Sequence, residues 1–418
     1  MSQMISLEQA QELVLSNVDV LSTETVSVLD VVGRVSARPL KSDIDNAPFD
    51  HSAMDGYALI AADLAQASET APVTLEVIAE VAAGGVYDGP VMPGQCVRIM
   101  TGAAIPDGFD AVVKYEIVNT LGADGKAGDK AQFSAPTKAL SNIRKAGEEA
   151  QAGEIIVEAN EVISNAGVGF LAGCGILQVE TYRQPRVAVI AIGSELVDPS
   201  LIPPKGKIRN SNNYALAACV KAAGGIPTIF PIVKDSLKDL SDAILSAVNE
   251  YDFVITSGGA SDGDFDFIKP VVEGLGELLM TSVNMRPGKA QTFGLVNGVP
   301  VFGLPGNPAA AYVGFEMIIR GALRKMQGYT HFSRPVVEAK LSRDMPKKDP
   351  RRIFLRGTLF RDKNNERIVS PAKNQSSGLF GVLQRSNCVA VMPEGVGTYE
   401  AGSIVKCILL DVPEELSL

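Results

Sequence analysis

"RVAVIAIGSEL", residues 186–196, runs without a polar break from Val187 to Ile192 and is closed by Gly193. An apolar run with no alternation, too short for a helix of ordinary length, is what a strand covered on both faces requires. It therefore predicts a buried parallel strand. The same grammar repeats downstream. A helix is expected from about Ser211 to Ala223, stopped by Gly224-Gly225, followed by a strand in "PTIFPIV" (227–233). Ser236 then caps a helix that puts Leu237, Leu240, Ala243, Ile244, Ala247 and Val248 on one face. "DFVIT" (252–256) and "PVFGL" (300–304) are further strands, the second ending in Pro305-Gly306-Asn307-Pro308 before a long helix. Strands alternating with helices in this way predict an α/β domain with a mostly parallel sheet.

The flanks read differently. Residues 6–16 open with a capping-box pattern, Ser6 with Gln9, and place Leu7, Ala10, Leu13 and Val14 on one helical face. "PVTLEVIAEV" (72–81) alternates Val73, Leu75 and Val77 with polar partners, as a half-buried strand does. From about 84 to 155 the chain is rich in glycine, proline and short strands, with a loop tip at "GADGKAGDKAQ" (122–132). This β-rich part is expected to be a domain inserted in another. Beyond about 330, "PVVEAKLSR", "RRIFLRGTLF", "NCVAVMPEG" and "SIVKCILL" alternate strand and turn, which suggests a small C-terminal β-barrel.

Composition narrows the chemistry. At 418 residues, 46% hydrophobic and 21% charged, the chain has the makeup of a globular protein of several domains. It has no apolar run of transmembrane length, and its start lacks the basic and apolar regions of a signal peptide, so a cytoplasmic location is expected. Five scattered cysteines without a CxxC pair argue against a disulfide framework and a structural zinc site. Two histidines, His51 and His331, exclude a multi-histidine metal centre and disfavour a Ser-His-Asp hydrolase, despite His51, Ser52 and Asp55 in "HSAMDGYAL" (51–59). A net charge of −10 makes nucleic acid a poor partner, but leaves room for a small anion held by a local cationic cluster.

In an open α/β sheet, ligands bind outside the carboxyl ends of the strands. Three such ends stand out. In "TSGGASDGDFDFIKP" (256–270), Gly258-Gly259 permits close approach of backbone to ligand, Ser257 and Ser261 offer hydroxyls, and Asp262, Asp264 and Asp266 crowd carboxylates near a helix start. A calcium loop fails because Phe267 stands where a glycine is needed. A magnesium-and-phosphate site and a solvated acidic helix cap both remain. In "LPGNPAAAYVGF" (304–315), Asn307 is a good N-cap and Pro308 suits the first helical position, so the helix start could offer N–H groups to an anion or be a plain turn. "GSEL" (193–196) puts Glu195 at the end of the first strand. Cations come from "MRPGKA" (285–290), where Arg286 and Lys289 flank a Pro-Gly turn, and from "DPRRIFLRG" (349–357), where Arg352 and Arg356 share a strand face. Walker A and G-x-G-x-x-G sequences are absent.

Taken together, "SAMDGYAL" (52–59), "RIMTGAAIPDGFDAVV" (98–113), "TSGGASDGDFDFIK", "MRPGKA" and "GLPGNPAAA" resemble one family over nearly the whole chain. It is the molybdopterin molybdenumtransferases, the MoeA proteins and the related E domain of gephyrin. The resemblance implies an elongated domain in two segments (1–45 and 145–180), a β-rich insertion (46–144), a molybdopterin-binding α/β domain (181–328) and a C-terminal β-barrel (329–418). It also implies a homodimer whose cleft is completed by Asp55 and Thr101 of the neighbouring protomer. The implied reaction inserts molybdenum from molybdate into adenylylated molybdopterin and releases AMP, with Mg²⁺ as cofactor. The upstream adenylyltransferase is an implied partner.

By the same resemblance, Asp266, Asp235 and Glu195 are catalytic carboxylates and metal ligands, with Asp55 as a further catalytic group. Thr101, Ser257, Gly258, Gly259, Ser261, Arg286, Lys289, Pro305, Gly306, Asn307, Arg356 and Ser377 fall to substrate binding. Among these, Lys289, Arg356 and Ser377 would cradle molybdate and Arg286 would face ligand phosphate. Arg286 stands where the family more often has lysine, Ala290 where it often has proline, and Glu149 replaces a usual aspartate. An adenylyltransferase-like activity and a gephyrin-like scaffold role are the alternatives.

Overall fold

The structure, a computed structural model, describes residues 4–122, 124–259 and 267–410. The chain divides into two compact units. One comprises Thr25–Val32 and Arg38–Glu180; the other takes in the chain up to Glu24, Gly33–Ala37 and everything from Thr181 onward.

The first unit holds a six-stranded sheet in the order Ala111–Lys114, Gly56–Leu59, Gln95–Ile99, Val73–Val81, Lys130–Phe133 and Asn119–Leu121. All its pairings are antiparallel except that between Val73–Val81 and Gln95–Ile99. The alternation read at 73–77 is real, since Leu75 and Val77 are buried while Thr74 and Glu76 are exposed. A helix at Asn165–Gly173, capped by the Ser164 hydroxyl, was not anticipated. Its glycines at 167, 169 and 173 lower helix propensity and hide it from a pattern search.

The second unit is built on the α/β sheet, ordered Ile226–Ile229, Arg186–Ala191, Phe253–Ser257, Val299–Leu304, Ala290–Val296 and Glu277–Ser282. The first four strands are parallel. Ala290–Val296 alone runs against the others, pairing antiparallel with both of its neighbours. The run at 187–192 is buried throughout because both faces of the sheet are covered. Val187 and Val189 face one cluster with Phe302 and the helices Asn212–Ala222 and Arg320–Met326. Ala188, Ile190 and Ile192 face another, with Ile244 and Val271 from the helices Leu237–Val248 and Ile268–Leu275. Each such fully buried aliphatic side chain contributes about 1.5–3 kcal/mol.

The amino-terminal helix, Leu7–Ser16, carries the reciprocal Ser6–Gln9 capping box and buries Leu7, Ala10 and Val14 in the first of these cores. Beyond the α/β sheet, five strands close a barrel: Arg352–Arg361, Arg367–Pro371, Val336–Leu341, Ile404–Leu409 and Cys388–Met392, which returns to the first. The short strand Met285–Arg286 pairs in parallel with Arg352–Ile353 and so ties the α/β domain to the barrel wall. All five cysteines are buried free thiols.

Candidate functional site

A cleft of about 760 Å³ lies between the α/β domain and the barrel within the second unit. One wall is the turn Arg286-Pro287-Gly288-Lys289 with Pro305, Asn307 and Ala310; the other comes from the segment 345–356 and from Gln375, Ser376 and Ser377. Arg286, Lys289, Pro305, Asn307, Arg356 and Ser377, separated by up to 91 positions in sequence, thus line one cavity.

Arg356 is the most informative of them. Its side chain is 1% exposed although it belongs to a cleft wall. Its Nε and its backbone N–H donate to Gln375 Oε1, both at 3.1 Å, and Nη1 donates to the Ser376 carbonyl at 3.2 Å. Gln375 answers by donating Nε2 to the Arg356 carbonyl at 2.8 Å. Burial pulls the guanidinium below its ordinary pKa, and among the described residues no carboxylate pairs with it. A buried cation without a counter-charge is costly unless an anion comes to meet it. Arg352 shares the strand but leaves the cleft, pairing instead with Glu8 at 2.5 Å and Glu394 at 3.1 Å.

The strand ends next to Pro305 and Asn307 are laced together, although Ser257, Gly258, Gly259 and Gly306 are not themselves among the residues lining the cleft. Asn212, at the start of its helix, donates Nδ2 to the Ser257 hydroxyl at 2.7 Å and to the Gly306 carbonyl at 2.9 Å. The Gly258 N–H donates to the Leu304 carbonyl at 3.1 Å. Gly258 and Gly259 have φ of 91° and 65°, and a Cβ on Gly258 would fall 2.1 Å from the Ile192 carbonyl oxygen, so only glycine fits that close crossing. Gly306 packs on Gly258, its Cβ position lying 3.5 Å from the Gly258 Cα.

Of the two readings of the helix start at Asn307, the hydrogen bonds of the structure match the plain turn. The Asn307 side chain makes no cap bond; the Ala309 N–H donates to the Ser377 carbonyl at 2.8 Å, and those of Ala310 and Ala311 return to the Asn307 carbonyl. Pro308 has no N–H. Those N–H groups are taken up within the protein, that of Ala309 on the 375–377 loop, and the cationic groups lining the cleft are side chains.

Glu195 and Asp235 follow neighbouring parallel strands. Asp235 Oδ2 accepts from the Ser194 N–H at 2.8 Å, the Asp235 N–H donates to Ser194 Oγ at 3.3 Å, and Lys207 Nζ donates to the Ser194 carbonyl at 2.5 Å. The two carboxylates are therefore brought to adjoining loops. Asp266 and Ser261 lie outside the described residues. Among the described residues no group of three or more metal-type side chains is assembled.

In the other unit, Asp55 Oδ1 accepts from both the backbone N–H and the hydroxyl of Thr101, each at 2.7 Å. These bonds hold its carboxyl below the usual range. Ser52 Oγ donates to the Met54 carbonyl at 2.6 Å and His51 Nδ1 lies 3.3 Å from the Phe49 carbonyl, so serine and histidine form no relay.

Sequence reasoning missed Asn212, Asp349, Arg351 and Gln375. Asp349 and Arg351 stand within the quoted cationic stretch, but strand-face logic selected Arg352 instead. Asn212 was visible only as a polar residue at the start of an expected helix.

Comparisons agree with this architecture. Profiles of the MoeA N-terminal region (domain I and II), of a probable molybdopterin binding domain and of the MoeA C-terminal region (domain IV) match residues 5–175, 188–325 and 338–410. The chain is 36% identical over 389 residues to the molybdopterin molybdenumtransferase of Bacillus subtilis (strain 168), covering 93% of this chain and 90% of that protein. It is 32% identical over 418 residues to that of Staphylococcus aureus (strain COL), covering 99% and 98%. The crystal structure of the molybdopterin biosynthesis MoeA protein from Pyrococcus horikoshii OT3 superposes with a TM-score of 0.83 at 29% identity, covering 98% of this chain and 100% of that one.

Proposed function

The chain belongs to the MoeA family of molybdopterin molybdenumtransferases, and on that premise we propose that the cleft between its α/β domain and barrel is where molybdate and adenylylated molybdopterin meet. The activity of the family is molybdenum insertion in molybdenum cofactor biosynthesis, and this chain is a transferase of that kind. The observation that carries the reading of the cleft is the guanidinium of Arg356 on its wall, buried and without a counter-charge among the described residues.

Molybdate is a tetrahedral dianion, and the cradle offered to it is Arg356, Lys289 and Ser377, with Arg286 toward the substrate's phosphates. Two Mo–S bonds form to the dithiolene sulfurs. One molybdate oxygen leaves as water with the two thiol protons, and no electrons are transferred. Water adding to phosphorus at the adenylyl linkage releases AMP. The protein supplies no nucleophile; its residues bind, orient and balance charge.

Glu195 and Asp235 suit Mg²⁺, since that ion is held by hard oxygen donors and needs only one or two carboxylates plus substrate phosphates. Asp266 would be the third. When bound, the ion neutralises charge at the phosphates. Asp55 and Thr101 are proposed to act across a homodimer. Asp55's exposure fits this reading, as does a carboxylate fixed by two bonds from Thr101.

The test is AMP release from adenylylated molybdopterin and Mg²⁺, with and without molybdate. Molybdate-dependent AMP release with metallated product is expected. Tight binding without release in either arm would overturn the reading in favour of a carrier or scaffold.

A further inference from the structure

The cationic turn that carries Arg286 is held from both sides. On its own side, Gln291 Nε2 donates to the Gly288 carbonyl at 2.5 Å, and Gln291 is fully buried. On the barrel side, Asp349 Oδ2 accepts from Arg286 Nη1 at 3.1 Å. The Asp349 carboxylate is itself immobilised beforehand: Oδ1 accepts from the Arg351 N–H at 3.0 Å and from Arg351 Nε at 2.9 Å, and Oδ2 from Arg351 Nη2 at 2.5 Å. The buried Lys347 fixes the backbone beneath it, donating to the carbonyls of Asp349, at 2.7 Å, and Gly395. The Asp349 side chain is 10% exposed, whereas that of Arg286 is 57% exposed along the cleft.

A half-exposed arginine spends much of its rotamer freedom on any anion it grips. Here that cost is met before the ligand arrives, because a rigid carboxylate takes one Nη donor and leaves the other donors of the fork to the cleft. Lysine, a point charge without a planar fork, could not be aimed in this way. We propose that Asp349 is a positioning residue for substrate binding: it orients the Arg286 guanidinium so that its remaining donors meet the phosphates of the substrate. The inference rests on the reading of the cleft as the site of molybdenum insertion.

Two physical pictures give opposite signs. If Asp349 acted only as a charge, removing it would strengthen binding of a polyanion, since a like charge would vanish from the cleft. If it orients Arg286, removing it weakens binding. The experiment is a double-mutant cycle in the full-length enzyme, comparing wild type, Asp349→Asn, Arg286→Ala and the double variant. KM for adenylylated molybdopterin and kcat are measured at saturating molybdate, with the thermal midpoint of each variant. Asp349→Asn is expected to raise KM about tenfold, the scale of a charge-assisted hydrogen bond, with kcat within about twofold. In the Arg286→Ala background the same change should move KM by less than about twofold. A lowered KM, an equal factor in both backgrounds, or a fall in kcat at constant KM would overturn the proposal. Should Asp349→Asn not fold, Asp349→Glu keeps the charge against Arg351 while displacing the carboxylate by a methylene, and the same non-additivity is expected. A wild type that releases no AMP with molybdate would sink the reading of the cleft itself, whatever the cycle gives.

Discussion

Arg356 sits where stability and function pull apart. Its guanidinium is buried and, among the described residues, bonded only to neutral acceptors, Gln375 Oε1 and the Ser376 carbonyl. Replacing such a charge by an apolar side chain of similar length is often neutral or stabilising, whereas an anion binding beside the charge relieves its cost. Arg356→Met is therefore expected to leave the thermal midpoint of the free protein unchanged or slightly raised. Molybdate should raise the midpoint of the wild type, by the equivalent of about 2.7 kcal/mol at a hundredfold excess over Kd, and leave that of the variant unmoved. Thermal scans with and without molybdate decide it. An equal molybdate shift in both proteins would remove Arg356 from the anion site. Arg356→Lys should not rescue, because an ammonium cannot satisfy the Gln375 and Ser376 acceptors with one fork.

At the level of elements, the binding loops depend on how closely the strands Arg186–Ala191 and Phe253–Ser257 leave the sheet together. Gly258→Ala would drive a Cβ to 2.1 Å from the Ile192 carbonyl oxygen at a φ of 91°. We expect a loss of about 2 kcal/mol or more in a denaturant titration, with substrate affinity lost as the loop moves. A fully stable variant would mean that the crossing is looser than the structure has it. The strands and helices from 186 to 257 were legible because continuous burial and helical periodicity leave strong patterns. The reversal at Ala290–Val296 was equally legible and went unread. Asn297-Gly298, with φ of 51° and 78°, is the two-residue turn that joins antiparallel neighbours, so a hairpin was written there. Barrel closure was not written in any one segment. It depends on Arg352–Arg361 pairing with both Arg367–Pro371 and Cys388–Met392, a choice made only in three dimensions. The cleft divides in the same way. Arg286 and Lys289 belong to a quoted motif, Arg356 to a quoted cationic stretch, and Ser377 entered by resemblance alone, whereas Asp349, Gln375 and Asn212 matter through contacts with partners that sequence does not bring near.

Across the whole molecule, a net charge of −10 stands against a cleft whose lining includes Arg286, Lys289, Lys348, Arg351 and Arg356 with, among the described residues, the single carboxylate of Asp349. An anionic ligand meets repulsion from the protein at long range and attraction at short range. The two fall off differently with salt. At an ionic strength of about 0.15 M the screening length is about 8 Å, so the distant acidic surface is already silenced while contacts inside the cleft persist. Salt added beyond that point acts on the cleft alone, and chiefly on its solvent-exposed cations, Arg286 and Lys348. KM for adenylylated molybdopterin is therefore expected to rise severalfold between about 0.15 and 0.5 M KCl with kcat nearly constant. In Arg286→Ala the rise should be shallower, because one of the two exposed members of the cluster is gone and only Lys348 remains. Steady-state kinetics across a salt series measures both slopes. A KM that stays flat or falls over that range would mean that binding does not draw on the cationic wall.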